Sequence, residues 1–274
     1  MISIVVPTCN RPQMLTACLD KFSHEVQRLD SSVYEVIITD DSSDDATQKL
    51  IATQYPDIKY FKGPRKGPAF NRNSGAANAT GEWVMFIDDD CIPSDDLVKE
   101  YLKAIADNPG VQVFEGCIKA DREKKHHLEE SPINVTGGYM WSCNIMLSRL
   151  FFNELGGFDE GFPFAAMEDV DLRVRVNKSG KKIIFAKDAM VIHPWRLQDK
   201  LLEMTAKRAK SEDYFYKKHP ELLSNKYSLR GELRFYWKFF KSILQYGLAG
   251  SVDIVRAHNL DKKIFNNRLK EANK

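Results

Sequence analysis

The sequence predicts an α/β protein in which a mostly parallel central sheet is flanked by helices and followed by a helical C-terminal extension. Three observations carry this expectation. Short β-branched apolar runs alternate with helix-period segments over roughly the first 110 residues, the pattern of βαβ units. Polar clusters follow three of those runs directly, where ligands of parallel sheets bind. From about residue 198 the apolar spacing becomes helical throughout.

The elements follow in order. Residues 2–7 form a buried strand ended by Pro7, and Pro12 opens a helix with Leu15, Cys18, Leu19 and Phe22 on one face. Residues 34–39 are a second strand, followed by the polar run Asp40 to Asp45 and a helix near 45–55. Residues 58–61 are a third strand, Lys62 to Gly67 a basic Gly/Pro loop, and 68–79 a helix. Trp83 to Ile87 is a fourth strand that runs into Asp88-Asp89-Asp90. Ser94 is expected to cap a helix reaching Asn108, with Asp95 and Asp96 in its first turn. Beyond it, 111–117 is a strand, 119–134 a charged loop, 139–148 extended and 168–178 a helix, with strands at 182–186 and 190–193.

The bulk numbers limit the function classes. The 274 residues are 43% hydrophobic and 28% charged, with net charge +2, so a core is affordable and a nucleic-acid partner is not indicated. The charge is unevenly spread. Residues 196–274 hold 18 Lys/Arg against 9 Asp/Glu, whereas residues 1–195 hold 22 against 29. That suggests a catalytic body and a tail that meets something anionic. Five irregularly spaced cysteines and no CxxC pair fit reduced thiols in the cytoplasm. No basic leader opens the chain, and no apolar run approaches the ~18 residues that a membrane span needs.

Asp88-Asp89-Asp90 gathers carboxylates that repel one another unless a cation joins them. Mn²⁺ or Mg²⁺ suits such oxygen donors and also binds phosphate, although a solvated acidic turn would carry the same residues. Asp40-Asp41-Ser42-Ser43 can accept a hydrogen bond from a nucleobase imide, or merely cap a helix. Arg72, within Asn71-Arg72-Asn73, suits a phosphate or a pyrimidine edge. Lys62, Arg65 and Lys66 fit a diphosphate or a plain solvated loop equally well. Glu168-Asp169 opens a helix in which a carboxylate can take a proton from an attacking hydroxyl. The i,i+4 spacings Asp169–Arg173 and Asp171–Arg175 also suit simple helix pairing. His193 ends a strand near carboxylates, as a ligand or as a structural histidine.

Taken together and in order, these segments resemble family 2 glycosyltransferases of the GT-A (Rossmann-like) fold. The resemblance rests on Val5-Val6-Pro7-Thr8-Cys9-Asn10-Arg11-Pro12, Thr39-Asp40-Asp41-Ser42-Ser43-Asp44, Asn71-Arg72-Asn73 and Phe86-Ile87-Asp88-Asp89-Asp90. It continues through Cys143-Asn144, Gly156-Gly157-Phe158-Asp159-Glu160 and Glu168-Asp169. It covers about 1–196, read as the catalytic domain; charge and helical spacing make 197–274 a basic helical extension for acceptor, membrane-surface or oligomer contacts. By the same resemblance, Thr8 and Arg11 line the nucleotide pocket, Asp41 meets the uracil ring, and Arg72 lies near base or phosphates. Asp90 binds the metal, Asp88 or Asp89 binds ribose or sugar, and Asp88 and His193 are further metal candidates. Asn144 and Glu168 shape the sugar or acceptor site, and Asp169 is the general base. The implied reaction is hexosyl or N-acetylhexosaminyl transfer from a UDP-sugar to a glycan or lipid-linked acceptor, in cell-surface polysaccharide or glycoconjugate synthesis. Met167 departs from the Gly or Thr that often precedes the acidic pair. The Trp-Gly-Gly-Glu-Asn signature of retaining relatives is absent, which favours inversion over retention. A donor-binding subunit without catalysis is the alternative reading.

In the extension, Leu233, Trp237, Phe240, Leu244 and Leu248 fall at helical spacing beside Arg230, Arg234, Lys238 and Lys241. Residues 229–250 therefore read as an interfacial helix on an anionic membrane, or as a helix packed on the body or on a second copy of the chain.

Overall fold

The computed structural model describes residues 1–224 and 227–272. The strands are β1 (Ile2–Thr8), β2 (Tyr34–Asp40), β3 (Lys59–Lys62), β4 (Trp83–Phe86), β5 (Ile92–Pro93), β6 (Val113–Ala120), β7 (Glu129–Glu130), β8 (Ile145–Ser148), β9 (Ile183–His193) and β10 (Arg196–Leu197). The α-helices are α1 (Pro12–Leu19), α2 (His24–Gln27), α3 (Ala46–Gln54), α4 (Pro68–Ala77), α5 (Leu97–Asp107), α6 (Arg149–Glu154), α7 (Glu168–Lys178), α8 (Leu201–Lys218), α9 (Leu229–Tyr246) and α10 (Ser251–Ala272). The chain forms two compact units. One comprises Met1–Asp121, Pro132–Glu160 and Glu168–Pro194; the other comprises Arg122–Ser131, Gly161–Met167 and Trp195–Lys274.

The first unit is built on a sheet of order β3-β2-β1-β4-β8-β6-β9-β5. β3, β2, β1 and β4 run parallel, whereas β8 is antiparallel to both β4 and β6. Side chains alternate across each strand with period two, so each strand feeds two apolar layers. Ile2, Ile4, Val6, Met85 and Met146 face one layer with Leu15, Leu19, Ile51, Leu97 and Tyr101. Val5, Val84, Phe86, Ile145 and Leu147 face the other with Ala76, Phe151, Phe152, Leu172 and Val176. The result is helix, sheet, helix, as the sequence predicts. Phe86 is fully buried and meets the Phe158 ring edge-on at 5.0 Å, an arrangement that adds about 0.5–1.5 kcal/mol to its area burial. Close approach of α4 to β1 depends on Gly75, where a Cβ would collide with Val5.

Several elements differ from the expectation. α5 begins at Leu97 after Asp96, with no side-chain cap, and Glu100 is the acid in its first turn. Ser94 instead uses its backbone, donating to Met190 and accepting from Gln27, while Asp95 pairs with Lys21 at 2.9 Å. The segments 182–186 and 190–193 belong to one strand, β9, which shifts register opposite Gly116 and Cys117 while Lys187 and Asp188 stay exposed. The charged stretch 119–134 is not all loop, since β6 runs to Ala120 and Glu129–Glu130 pairs with Arg196–Leu197. Within 139–148 only Ile145–Ser148 is a strand. α6 was not anticipated; Ser148 caps it by accepting from Phe151 N at 3.2 Å.

One edge contact has a pH signature. Glu35 on β2 accepts from Ser3 Oγ at 2.5 Å and from Thr80 N and Oγ1 at 2.8 Å, and it pairs with Lys59 at 2.5 Å. Burial alone would raise its pKa, but these partners outweigh burial and bring it down to about 2. A depressed carboxyl stabilises the fold above its unfolded pKa, and that stability disappears as pH falls toward 2. Glu35→Gln should therefore cost about 1–2 kcal/mol near neutral pH, a value discounted because Lys59 is partly solvated. Urea titration should show the gap closing as pH falls below about 4.

Candidate active site

Parallel pairing brings three strand ends together. Thr8 at the end of β1 lies in register with Asp40 at the end of β2. Asp41 N donates to Thr8 O at 2.9 Å, and Ile87 N, just past β4, donates to Val5 O at 3.1 Å. The three polar clusters then interlock. Thr8 Oγ1 donates to Asp89 Oδ2 at 2.7 Å, and Arg11 pairs with Asp89 at 2.8 Å and with Asp90 at 3.6 Å. Asn10 N donates to Ser42 Oγ at 2.6 Å, and Asn10 Oδ1 accepts from Ser43 N at 3.1 Å.

Asp41 is half-buried and accepts from Arg65 N at 2.8 Å. The loop that covers it needs Gly63, where a Cβ would collide with the side-chain oxygens of Asp41 and Asn71. Arg65 donates to the carbonyls of Ser42 and Ser43, and Lys66 lies over the Phe70 ring. The basic loop thus latches onto the Asp41 segment.

One turn of α4 reaches three parts of the site. Asn71 donates to Thr8 O and Thr39 O at 3.2 and 3.0 Å, tying β1 to β2. Asn73 donates to Phe158 O at 2.8 Å and accepts from Phe158 N at 2.9 Å, pinning the Gly156–Glu160 turn. Arg72, between them, is buried and pairs with Asp88 at 2.7 Å and with Glu168 at 3.3 Å. Burial would lower its pKa, yet the two carboxylates raise it, so the guanidinium stays charged. It links the acidic cluster after β4 to the acidic start of α7. Arg72 Nε and Glu168 Oε2 are buried with no hydrogen-bond partner among the described residues, an arrangement that is costly unless a ligand or water answers it.

The start of α7 separates two carboxylates by environment. Glu168 is buried and turned onto Arg72, and desolvation pushes its carboxyl up to about 7 against the pull of Arg72. Asp169 is more exposed; desolvation raises it too, opposed by Arg72 and by backbone hydrogen bonds from Val170 and Ser142. Asp171 is fully buried and pairs with Arg175 at 2.7 Å, whereas Arg173 donates to Gly138 O instead of making an i,i+4 pair with Asp169. Met167, immediately before Glu168, has φ +75°, a conformation that glycine adopts freely and that strains a methionine.

His193, at the end of β9, places Nε2 3.6 Å from Asp90 Oδ1. Its Nδ1 contacts Pro194 O at 2.9 Å; a carbonyl only accepts, so Nδ1 is the donor there and Nε2 is the ring atom turned toward Asp90. Ligand atoms of Asp90, Cys91 and His193 lie within 4.8 Å of one another. The Cys91 thiol is raised well above its ordinary range, first by its hydrogen bond to Cys143 and then by burial. Its Sγ points at Cys143 O at 3.8 Å, and sulfur is a soft donor that hard Mn²⁺ or Mg²⁺ disfavours beside oxygen and imidazole. A carboxylate and an imidazole would suit Mn²⁺ or Mg²⁺ better than a thiolate-type metal. Asp88 lies outside that group and faces Arg72.

Asn144, which the resemblance implies for the sugar or acceptor site, is buried. It accepts from Tyr101 Oη at 2.7 Å and donates to Cys117 O and Ala189 O at 2.9 and 3.0 Å. These bonds hold the irregular pairing of β6 with β9, so its side chain acts inside the fold. Sequence reasoning passed over Glu115. It is buried and accepts from Asn134 Nδ2 and from the backbone N–H groups of Gly138, Tyr139 and Met140. That anchors the turn carrying the stacked rings of Tyr139 and Trp141, 5.6 Å apart, next to Ser142. A lone carboxylate inside the apolar run Val111–Cys117 was the signal available.

Similarity to known proteins bears on the family and the fold. Over 93% of this chain and 67% of its own length, validoxylamine A glucosyltransferase of Streptomyces hygroscopicus subsp. jinggangensis is 24% identical. A Campylobacter jejuni GalNAc(5)-diNAcBac-PP-undecaprenol beta-1,3-glucosyltransferase is 34% identical, over 43% of this chain and 38% of its own. Among solved structures, mannosyltransferase PcManGT from Pyrobaculum calidifontis, in complex with GDP-Man and Mn²⁺, superposes with TM-score 0.59 and 20% identity over 99% of this chain and 74% of its own. S. aureus TarS 1-349, in complex with UDP-GlcNAc, gives TM-score 0.59 and 16% identity over 97% and 90%. These likenesses show a GT-A-type fold. The pattern described as "Glycosyl transferase family 2" matches residues 3–165, more than half the sequence and all three interlocked strand ends, and the chain belongs to that family.

Proposed function

We propose that this chain moves a hexosyl or N-acetylhexosaminyl group from a UDP-sugar to a hydroxyl of a glycan or lipid-linked acceptor, with inversion. The observation that carries the reading is the Arg72 bridge, which sets the acidic cluster of β4 and the acidic start of α7 around one buried cation. The relatives named glucosyltransferases, one for an undecaprenol-linked substrate, support a sugar-transfer reading. So does the UDP-GlcNAc bound to TarS, whereas the GDP-Man bound to PcManGT makes the nucleotide a matter for experiment. The catalytic role falls to the first unit, and five free thiols fit a reducing, cytoplasmic setting.

In this reading Thr8, Arg11 and Asp41 receive the nucleotide, with Asp89 held in place by Thr8 and Arg11. Arg72 keeps Asp88 in position for ribose or sugar. Asp90 and His193 would hold the divalent ion, which supplies Lewis-acid stabilisation of the departing diphosphate. Asp169 accepts the acceptor hydroxyl proton. The acceptor oxygen bonds to the anomeric carbon as the bond from that carbon to the phosphate oxygen breaks, and the nucleoside diphosphate leaves. A single displacement of this kind inverts the anomeric centre.

The test is a panel of UDP-, GDP- and dTDP-sugars with Mn²⁺, following nucleoside diphosphate release. Faster release from a UDP-sugar than from the others is expected. Donor binding with neither transfer nor hydrolysis for any sugar would support a donor-binding subunit instead.

A further inference from the structure

We propose that the exposed face of α9 docks on an anionic lipid bilayer and lies in the headgroup plane. The inference rests on the second unit alone and stands whether or not the transfer reading holds.

α9 has two faces of different character. Its packed face is already occupied within the unit. Phe235 stacks on His258 at 3.5 Å, and Glu232 bonds His258 at 3.1 Å and Lys262 at 2.9 Å. The opposite face is where a helix of a globular domain carries polar residues. Here it carries Leu229, Leu233, Trp237, Phe240, Leu244 and, just beyond the helix, Leu248. Each is between 58% and 78% exposed. Isolated exposed apolar residues are ordinary, but a continuous row of this size marks an interaction surface. Tyr236, 47% exposed, adds a second amphipathic ring beside Trp237; such rings prefer the boundary between lipid and water.

Charge selects the occupant. Arg230, Arg234, Lys238 and Lys241 are all exposed. At about 100° per residue they fall along one flank of the apolar row. The Lys241 ammonium lies over the Trp237 ring, 3.7 Å from its centroid, a cation–π contact that places a basic group directly beside the apolar row. Glu232 is the only acid in α9, and it sits on the packed face. The exposed half therefore offers apolar surface and positive charge, with no carboxylate to answer the four cations of a second copy. Anionic phosphates above an apolar interior match it on both counts. The 18-residue helix is about 27 Å long. Among the described residues no helix is long and apolar enough to cross a membrane, which fits lying on the bilayer and not spanning it.

Flotation of the full chain with vesicles tests this. Wild-type protein should float with phosphatidylglycerol/phosphatidylethanolamine vesicles, float poorly with phosphatidylcholine vesicles, and detach as salt rises. Replacing both Trp237→Ser and Phe240→Ser should lower the partition coefficient by at least about tenfold. Replacing Arg230, Arg234, Lys238 and Lys241 together with Gln should lower it by about a hundredfold or more. Both variants alter exposed side chains, so their circular dichroism and thermal midpoints should match wild type. If one does not, the other decides. Wild-type protein that stays unbound on anionic vesicles would overturn the proposal, as would undiminished flotation of a folded variant. Concentration-dependent self-association through this face, without flotation, would overturn it in favour of a homo-oligomer contact.

Discussion

Asp169→Asn is expected to lower turnover by about 10²–10⁴-fold, the usual worth of a positioned general base, while leaving donor binding near wild type. The geometry distinguishes it from its neighbour. Glu168 is turned inward onto Arg72, whereas Asp169 is the more exposed member of the pair. An amide keeps the size and can still accept a backbone hydrogen bond, so the loss should fall on kcat and spare donor affinity. Desolvation raises the Asp169 carboxyl above its ordinary value. The active form is deprotonated, so wild-type turnover should fall as pH drops through that raised value, earlier than an ordinary aspartate near 3.9 would allow. Residual Asp169→Asn turnover should lack this acid limb. Near-normal transfer by the variant would remove Asp169 from the mechanism.

Asp90→Asn is expected to abolish the metal dependence of donor binding. The Asp90 carboxylate and the His193 imidazole are the two donors proposed for the ion, since a hard divalent cation prefers oxygen and imidazole to the sulfur of Cys91. Removing an outer-shell partner typically costs 10–100-fold in metal affinity, and a direct carboxylate ligand should cost more. Arg11 faces both Asp89 and Asp90, so the variant keeps one of the two contacts that hold this arginine. Nucleotide binding without metal should then change little. Calorimetry with and without Mn²⁺ separates the two effects.

The parallel half of the sheet was legible because buried strands read as unbroken apolar runs closed by polar residues, as at Thr8, Asp40 and Asp88. α7 matched its reading because Glu168-Asp169 and Asp171 open it in the sequence as they do in the fold. What escaped depends on tertiary contacts. The bulge that joins the two halves of β9 lies opposite Gly116 and Cys117 on another strand, and no local pattern records it. α6 was hidden by Phe151-Phe152, which also suit a strand, although the Ser148 cap was there to be read. Ser94 looked like a cap, but its backbone is engaged by Met190 and Gln27 instead.

The site divides in the same way. Residue types at strand ends announced the acidic cluster and the Asp41 segment. The double pairing of Arg72 joins positions 16 and 96 residues away, so only the folded chain shows that one guanidinium ties the two carboxylate groups together. Asn144 could be placed by motif but not oriented, and its hydrogen bonds turn out to run to Tyr101, Cys117 and Ala189. The apolar spacing of α9 was plain, whereas which face lies open required the packing of Phe235 and Glu232 against α10.

In the proposed reading the residues after β4 form a metal-assisted donor site. Its most direct test is calorimetric titration of the full chain with UDP, with and without Mn²⁺, alongside Asp90→Asn. UDP should bind at least about tenfold more tightly with Mn²⁺ in wild type, with no such gain in the variant. Equal UDP affinity with and without Mn²⁺ in wild type, or an intact Mn²⁺ response in Asp90→Asn, would contradict it.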